Sequence, residues 1–355
     1  MLNLSRLRRH PPQFHRLVGL RIDQFAVLLA AVDVAYGAHE EERLTRRVRQ
    51  RAVGAGGRFC LPLEQRLLSA LLFYRLHLTG ALLSLLFEVE ESTLWRERTL
   101  RMQPVLEQVL PRPMQDHLLR ALETRGNGGN GGNGKRKRIG TLVELLEAYP
   151  ELRDLVVDAT QQQVPRPQRK TPQDKARHTQ FYSGKSHCHA IKTQVTTAKR
   201  LILHVFGNTP ARVHDRQLLR ASGVLRALDQ AASPQKTKVQ DGRRPAQRTQ
   251  RQARRVRLDK GYSGVEDEFG ACAGVHLLAS IKARRNAPLT LLQRLWNRVV
   301  VATQRIQVEQ NIGHLQNWRV LSATYRARLS THQDTFALVA GLHNFTQLGR
   351  LDWQK

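Results

Sequence analysis

The sequence is short of acid. Its 355 residues carry 29 Asp+Glu against 58 Lys+Arg, a formal net charge of +29, and the basic excess is spread along the chain instead of gathered in one tail. Such a chain seeks a polyanion, first of all nucleic acid, because each phosphate neutralised by Lys or Arg releases condensed counterions. An anionic membrane is the competing surface, but it calls for a polybasic segment beside an apolar anchor. Long apolar runs are lacking too. The stretches at 67–72 and 80–87 fall short of the ~20 residues that cross a bilayer, so no membrane association is expected. The basic opening MLNLSRLRRH has no apolar h-region behind it, and no secretory signal is read. Cysteine is scarce: Cys60, Cys188 and Cys272 are odd in number, far apart and without C-x-x-C spacing. They support neither a disulfide framework nor a zinc ribbon, and a reducing cytoplasm suits them.

What is present suffices for a core. A 355-residue chain that is 41% hydrophobic divides naturally into two domains. The boundary is expected at GNGGNGGNG, residues 126–134, followed at once by KRKR at 135–138; a surface loop inside one domain is the alternative, since Gly-rich insertions are tolerated wherever they are exposed. The KRKR run suits DNA-backbone contact or a nuclear signal. The expected division is a basic helical region over 1–60, a DNA-binding region over 61–125, a basic linker over 126–140 and a catalytic domain over 141–349. Residues 61–110 have apolar positions at three- and four-residue steps, with a break at 87–92 and N-cap candidates in Thr79 and Ser92. Two short helices about a tight turn, the second bearing Trp95, Arg96 and Arg98, have the form of a helix-turn-helix. A plain helical bundle gives the same periodicity, and Glu88, Glu90 and Glu91 would repel phosphates nearby.

Past the linker the texture changes. A helical stretch at 141–148 leads to the β-rich run DLVVDAT. HCHAIKTQVTTA and RLILHVFG then read as an antiparallel hairpin about an Ala-Lys-Arg turn. A helical pattern over 214–230 and a basic, aperiodic loop over 233–257 follow, feeding a short strand at 256–258. A strand at HLLASIK and a long helix through 291–315 complete the order β-β-β-α-β-β-α, that of an RNase H-like mixed sheet with helices on its faces. The fold class is therefore α/β, an RNase H-like mixed-sheet catalytic domain preceded by an all-α helix-turn-helix domain.

Phosphodiester transfer without a covalent intermediate uses two divalent ions held by a few carboxylates. Asp158 closes the apolar run LVV before a turn. Asp259 closes RVRL before Gly261 and Gly264. Glu309 lies in the helical segment ATQRIQVEQNIGHLQNW, where Ile306, Ile312 and Leu315 are core candidates and Arg305 shares the face of Glu309. Asp215, at a helix start in VHDRQLL, is the rival to Asp259 and has an N-cap as its structural explanation. His187 and His189 would share one strand face in H-C-H, but a zinc site needs four ligands and no second cluster is evident. Tyr182, Lys185 and Lys192 lie in the basic hairpin region, where DNA-backbone contact and solvated strand-edge lysines are both open.

The segments DLVVDATQQQVPRP, YSGKSHCHAIKTQV, VHDRQLLR, LDKGYSG, RIQVEQNIGHLQNWRVL and LVAGLHNF resemble, in order and content, the insertion-sequence transposases of the DDE superfamily in its Harbinger-related branch. Residues 61–101 also resemble the helix-turn-helix preceding the nuclease domain there. The resemblance implies a transposase that cuts DNA at the ends of its element and joins the freed 3′-hydroxyl to target DNA. It implies Asp158, Asp259 and Glu309 as ligands of two Mg²⁺ or Mn²⁺ ions, with Arg305 matching the Arg four before the Glu. Double-stranded DNA is the implied partner, with a homodimer or higher assembly in the complex. Departures are Ala159 and Gln161 where the family has Asp-Gly-Thr-Glu, Gln316 where it has Lys, Ala302 where a related branch has Tyr, and Glu88 where Gly is common. Ala159 and Gln316 favour the alternative of a catalytically degenerate transposase that retains DNA binding, whereas Glu88 weakens the reading that the helix-turn-helix still reads DNA. A basic RNA-binding or ribosome-associated protein is the further rival.

Overall fold

The computed structural model describes residues 2, 4–45, 61–113, 152, 154–232, 254–262, 264–265, 275–283, 288–298 and 303–352. The Gly-Asn tract, the KRKR run, the expected helix at 141–148 and the basic stretch 233–253 lie outside the described residues. The chain divides into two compact units. One comprises Met1–Arg112, His314–Tyr325 and Asp334–Lys355; the other comprises Pro113–Gly313 and Arg326–Gln333. The last helix, expected within the catalytic segment, thus groups with the N-terminal helices.

The first unit is helical: α1 (Leu4–Arg8), α2 (Pro11–Val18), α3 (Ile22–Thr45), α4 (Leu63–Leu76), α5 (Gly80–Phe87), α6 (Glu91–Arg96), a π-helical stretch Glu97–Met102 and α7 (Gln103–Val109). Thr79 caps α5 by accepting from the Leu82 amide at 3.3 Å. Ser92 does not cap α6, whose N-cap is Glu90. The turn between them starts at Glu88, which ends α5 in the left-handed region at φ 55° and ψ 39°. A Cβ is strained there and Gly is at ease. A buried polar knot ties the unit together. Tyr36 donates to Glu97 Oε1 at 3.0 Å, and Arg66 Nη1 lies 2.6 Å from the Tyr36 hydroxyl and 3.2 Å from the same carboxylate. Burial, ahead of the neighbouring Glu97 charge, pushes the Tyr36 phenol well above its ordinary range, so it stays neutral, donating to Glu97 and accepting from Arg66.

The second unit is built on a mixed sheet: β1 (Asp154–Gln163), α8 (Pro172–Phe181), β2 (Tyr182–Ser183), β3 (Cys188–Ala198), β4 (Leu201–Pro210), α9 (Asp215–Ser222), α10 (Val224–Ala232), β5 (Arg254–Leu258), β6 (Val275–Ala279), α11 (Leu291–Trp296) and α12 (Thr303–Gln316). The hairpin β3–β4 forms as expected, with Lys199 in its turn at φ 53°. β1 lies antiparallel to β3 and parallel to β5, and β5 parallel to β6. Four strands joined by antiparallel pairing, the short β2 and β4 both against β3, followed by β5 and β6 in parallel make a six-stranded mixed sheet consistent with an RNase H-like domain. The expected helix over 214–230 breaks at Gly223, which ends α9 at φ 70°. α8 was not legible as a helix, although Thr171 and Asp174 form a full capping box at its start. α12 packs on one sheet face through Val308 and Ile312, which cluster with Val156 of β1. Ile306, read as a core candidate, is exposed at 52%. α13 (Arg319–Ser322) and α14 (His332–Asp352) close the described chain.

Candidate active site

The apolar runs LVV and RVRL become β1 and β5 because both strands lie inside the sheet, where Leu155, Val157, Val256 and Leu258 are nearly or wholly buried. Their register pairs Val157 with Leu258. The next residues on each chain, Asp158 and Asp259, therefore come abreast at the leading end of the parallel pair. Side chains alternate along a strand, so Asp158 projects from the face of Val156, the face on which α12 packs. Glu309 follows Val308 on that helix and is exposed.

The turn after β5 completes this corner. The Tyr262 amide bonds to the Asp259 carbonyl at 2.9 Å, reversing the chain and driving the Tyr262 ring inward to 1% exposure. Its hydroxyl is buried without a hydrogen-bond partner. Burial first, then the charges of Asp215, Asp158 and Asp259, raise this phenol well above its ordinary range. A buried hydroxyl thus feels three aspartates together. Sequence reading passed over Tyr262, although D-x-G-Y contains its signal: three residues after a strand-end acid, past a glycine, a tight turn returns the side chain beneath the acid.

Asp215 has a different position from the one expected. His214, not Asp215, is the N-cap of α9, its ring nitrogen lying 3.4 Å from the Arg216 amide. Asp215 Oδ1 accepts from Lys192 Nζ at 2.7 Å, and the same ammonium donates to the Val213 carbonyl at 2.7 Å. For Lys192, DNA-backbone contact and a solvated strand edge were both open. It is turned into the protein instead, on a strand whose residues from His189 to Ala198 are all buried. Gly261 has no room for a Cβ, which would run into the Asp215 carboxylate.

The other predicted contacts separate by exposure. Lys185 stands exposed in the turn before β3, as do Trp95 and Arg96 on α6. Arg98 does not: its guanidinium lies 3.5 Å over the Phe73 ring, and burial lowers its pKa. Arg305 lies in α12, but its side chain is outside the described residues. The last arginines of the expected basic loop also turn inward. Arg254 and Arg257 are 6% and 5% exposed, and Arg257 and Arg255 bond the Asp154 carboxylate at 2.8 and 2.7 Å. Burial pushes that carboxyl up, but the two guanidiniums outweigh it and hold it below its usual range. Gln161 uses its amide oxygen locally, accepting from Ser183 at 2.8 Å and Ser186 at 3.3 Å.

Among the described residues no three His, Cys, Asp or Glu stand close enough to hold a metal ion, and no helix is long and apolar enough to cross a membrane. Asp158 and Asp259 leave neighbouring strands side by side, and carboxylate oxygens are the ligands that a hard divalent cation takes. No curated protein and no solved structure matches the chain. Residues 157–344 match the DDE superfamily endonuclease family, which generally uses divalent metal ions. That match takes in Asp158, Asp259 and Glu309 and spans more than half of the chain; the protein belongs to the DDE superfamily of endonucleases.

Proposed function

We propose that the protein is a DNA transposase of the Harbinger-related branch, cutting at the ends of its element and joining the 3′-hydroxyl to target DNA, with α5 and α6 as the helix-turn-helix of a DNA-binding unit. The observation that carries this reading is the β1–β5 register, which sets two strand-end aspartates of a DDE endonuclease side by side. Asp158 and Asp259 would hold Mg²⁺ or Mn²⁺, with Glu309 supplied from α12 when DNA is engaged. Held there, two such ions would supply activation of the attacking oxygen and stabilisation of the leaving one. Asp158 and Asp259 orient their oxygens from strands fixed by backbone pairing, and Tyr262 fills the space behind them. Lys192 stays with Asp215, so its ammonium does not compete with metal for the other two carboxylates.

Asp158→Asn and Asp259→Asn should each keep the melting temperature and duplex binding while abolishing Mg²⁺-dependent cleavage of DNA carrying the element ends. Cleavage that persists in Asp259→Asn, together with a folded but inactive Asp215→Asn, would overturn the assignment. A second reading, a degenerate transposase that binds DNA without cutting, is favoured by Gln316 and Ala159 at the family's Lys and Gly positions. It predicts duplex binding by the wild-type chain with no cleavage at any divalent ion concentration.

A further inference from the structure

Beyond Asp158, β1 runs on for five residues to Gln163, ~17 Å at ~3.3 Å per residue. The chain then passes through Arg166 and Arg169 into α8. There two guanidiniums close on one ring: Arg166 Nε lies 3.3 Å from His178 Nε2, and Arg169 Nη2 lies 3.3 Å from His178 Nδ1. A neutral imidazole has one bare nitrogen and one N–H, so it can accept from only one of them. A charged imidazole accepts from neither. One arginine therefore faces a donor whichever tautomer is present. The His189 ring stacks edge-on at 4.2 Å, and its Nε2 is buried without a partner in a side chain 9% exposed. Among the described residues, no acid forms an ion pair with either arginine.

Such an excess of donors is what an oxyanion resolves. Arg166 and Arg169 are exposed, and two guanidinium forks can each grip an oxyanion in bidentate fashion, with the His189 ring packed edge-on beneath His178. Burial, then the Arg169, His189 and Arg166 charges, lower the His178 pKa; burial and the same two arginines lower that of His189. The cluster's positive charge thus resides in its arginines. The segment 165–181 around it has five Lys+Arg and one acid, Asp174, so it presents net positive charge to a polyanion.

We infer that Arg166, Arg169, His178 and His189 form a cradle for one DNA backbone phosphate, remote from the carboxylates. This rests on the reading of the protein as a DNA-cutting enzyme. Beyond the far end of β1, at ~3.4 Å per phosphate of a strand, the phosphate gripped is several nucleotides from the scissile one. The contact positions the duplex and reads no base.

The test measures affinity for a random-sequence duplex across a potassium chloride series, with Ca²⁺ in place of Mg²⁺. Arg166→Gln/Arg169→Gln should lower the slope of log affinity against log salt by about one and weaken binding about eightfold at ~0.1 M salt. Arg166→Lys/Arg169→Lys should restore most of the slope by restoring the charge. Because both guanidiniums are exposed, melting temperatures should stay level, and each single Gln variant should give an intermediate loss. A slope and affinity equal to wild type in the double variant overturn the cradle and leave the functional reading standing. A wild-type chain that binds no duplex overturns both. If inorganic phosphate alone raises the melting temperature in an Arg166-dependent way while duplex affinity is unmoved, the site takes a free anion and its assignment to DNA is wrong.

Discussion

The Lys192–Asp215 pair offers a test of how charge is used inside the catalytic unit. The Lys192 side chain is 8% exposed and that of Asp215 30%, with Nζ and Oδ1 2.7 Å apart. Removing one member of a fully buried pair costs ~3–5 kcal/mol, and an exposed pair is worth ~0–1 kcal/mol. A pair with one buried and one part-exposed member falls between. Asp215→Asn keeps an oxygen for the ammonium but removes its counter-charge, and should cost about 2 kcal/mol. Lys192→Met leaves a carboxylate that water reaches, and should cost about 1 kcal/mol. With both changes no buried charge is left alone, so the double variant should be less damaged than the sum by about 1–2 kcal/mol. Urea unfolding of the four proteins closes the cycle. A coupling energy near zero would refute the ion pair as the reason for either residue. Lys192→Met should also leave the salt dependence of duplex binding unchanged; a slope lower by about one would return Lys192 to the DNA surface.

Two further outcomes follow from backbone strain and from burial. Glu88→Gly should raise stability by about 0.5–1 kcal/mol by relieving the left-handed residue that ends α5, and a drop in melting temperature would show that the Glu88 side chain contributes more than its backbone costs. His332 is wholly buried, its Nε2 is 2.9 Å from Gln162 Oε1, and burial lowers its pKa to about 4. The unfolded chain takes up this proton near pH ~6.5 and the folded chain only near 4. Stability should therefore be full above pH ~6.5 and fall as pH drops towards 4, by up to about 3 kcal/mol from this group. Unfolding measured from pH 7 to pH 4 in wild type and His332→Gln should show a shallower fall in the variant, and parallel curves would refute it.

The strands that carry the two candidate acids were legible because chemistry and local pattern coincide. An apolar β-branched run ending in an acid marks a buried strand that delivers a carboxylate to its end, and Asp158 and Asp259 both carry that mark. The hairpin was legible for a similar reason, with two β-rich runs about a short Lys-Arg turn. Lys192 was not. β3 has β1 on one side and β4 on the other, and its polar residues Lys192, Thr193, Gln194, Thr196 and Thr197 are all buried. A sequence that alternates polar and apolar residues looks like a half-solvated strand; only the positions of its neighbours make it a central one. α8 was missed because its composition is that of a loop and its helix depends on the Thr171–Asp174 box. Ile306 was misplaced because Val308 and Ile312 set the buried face of α12, and a residue two positions before Val308 falls far from that face on a helix of 3.6 residues per turn.

The choice between Asp215 and Asp259 shows what tertiary structure adds to motif order. Both acids sit at the start of a turn or helix, and both raise the Tyr262 phenol, so both lie near the same buried point. Proximity therefore does not separate them. Charge does: Asp215 already has the Lys192 ammonium at 2.7 Å, which a divalent ion would have to displace from a buried site. The main chain separates them as well. Asp259 leaves a strand paired with β1 and inherits its register beside Asp158. Asp215 begins a helix whose first turn is capped by His214 and presses against Gly261, where no side chain fits. Asp215 thus braces the turn that carries Asp259 by way of Gly261, and under the proposed metal assignment its part is to hold Asp259 in place.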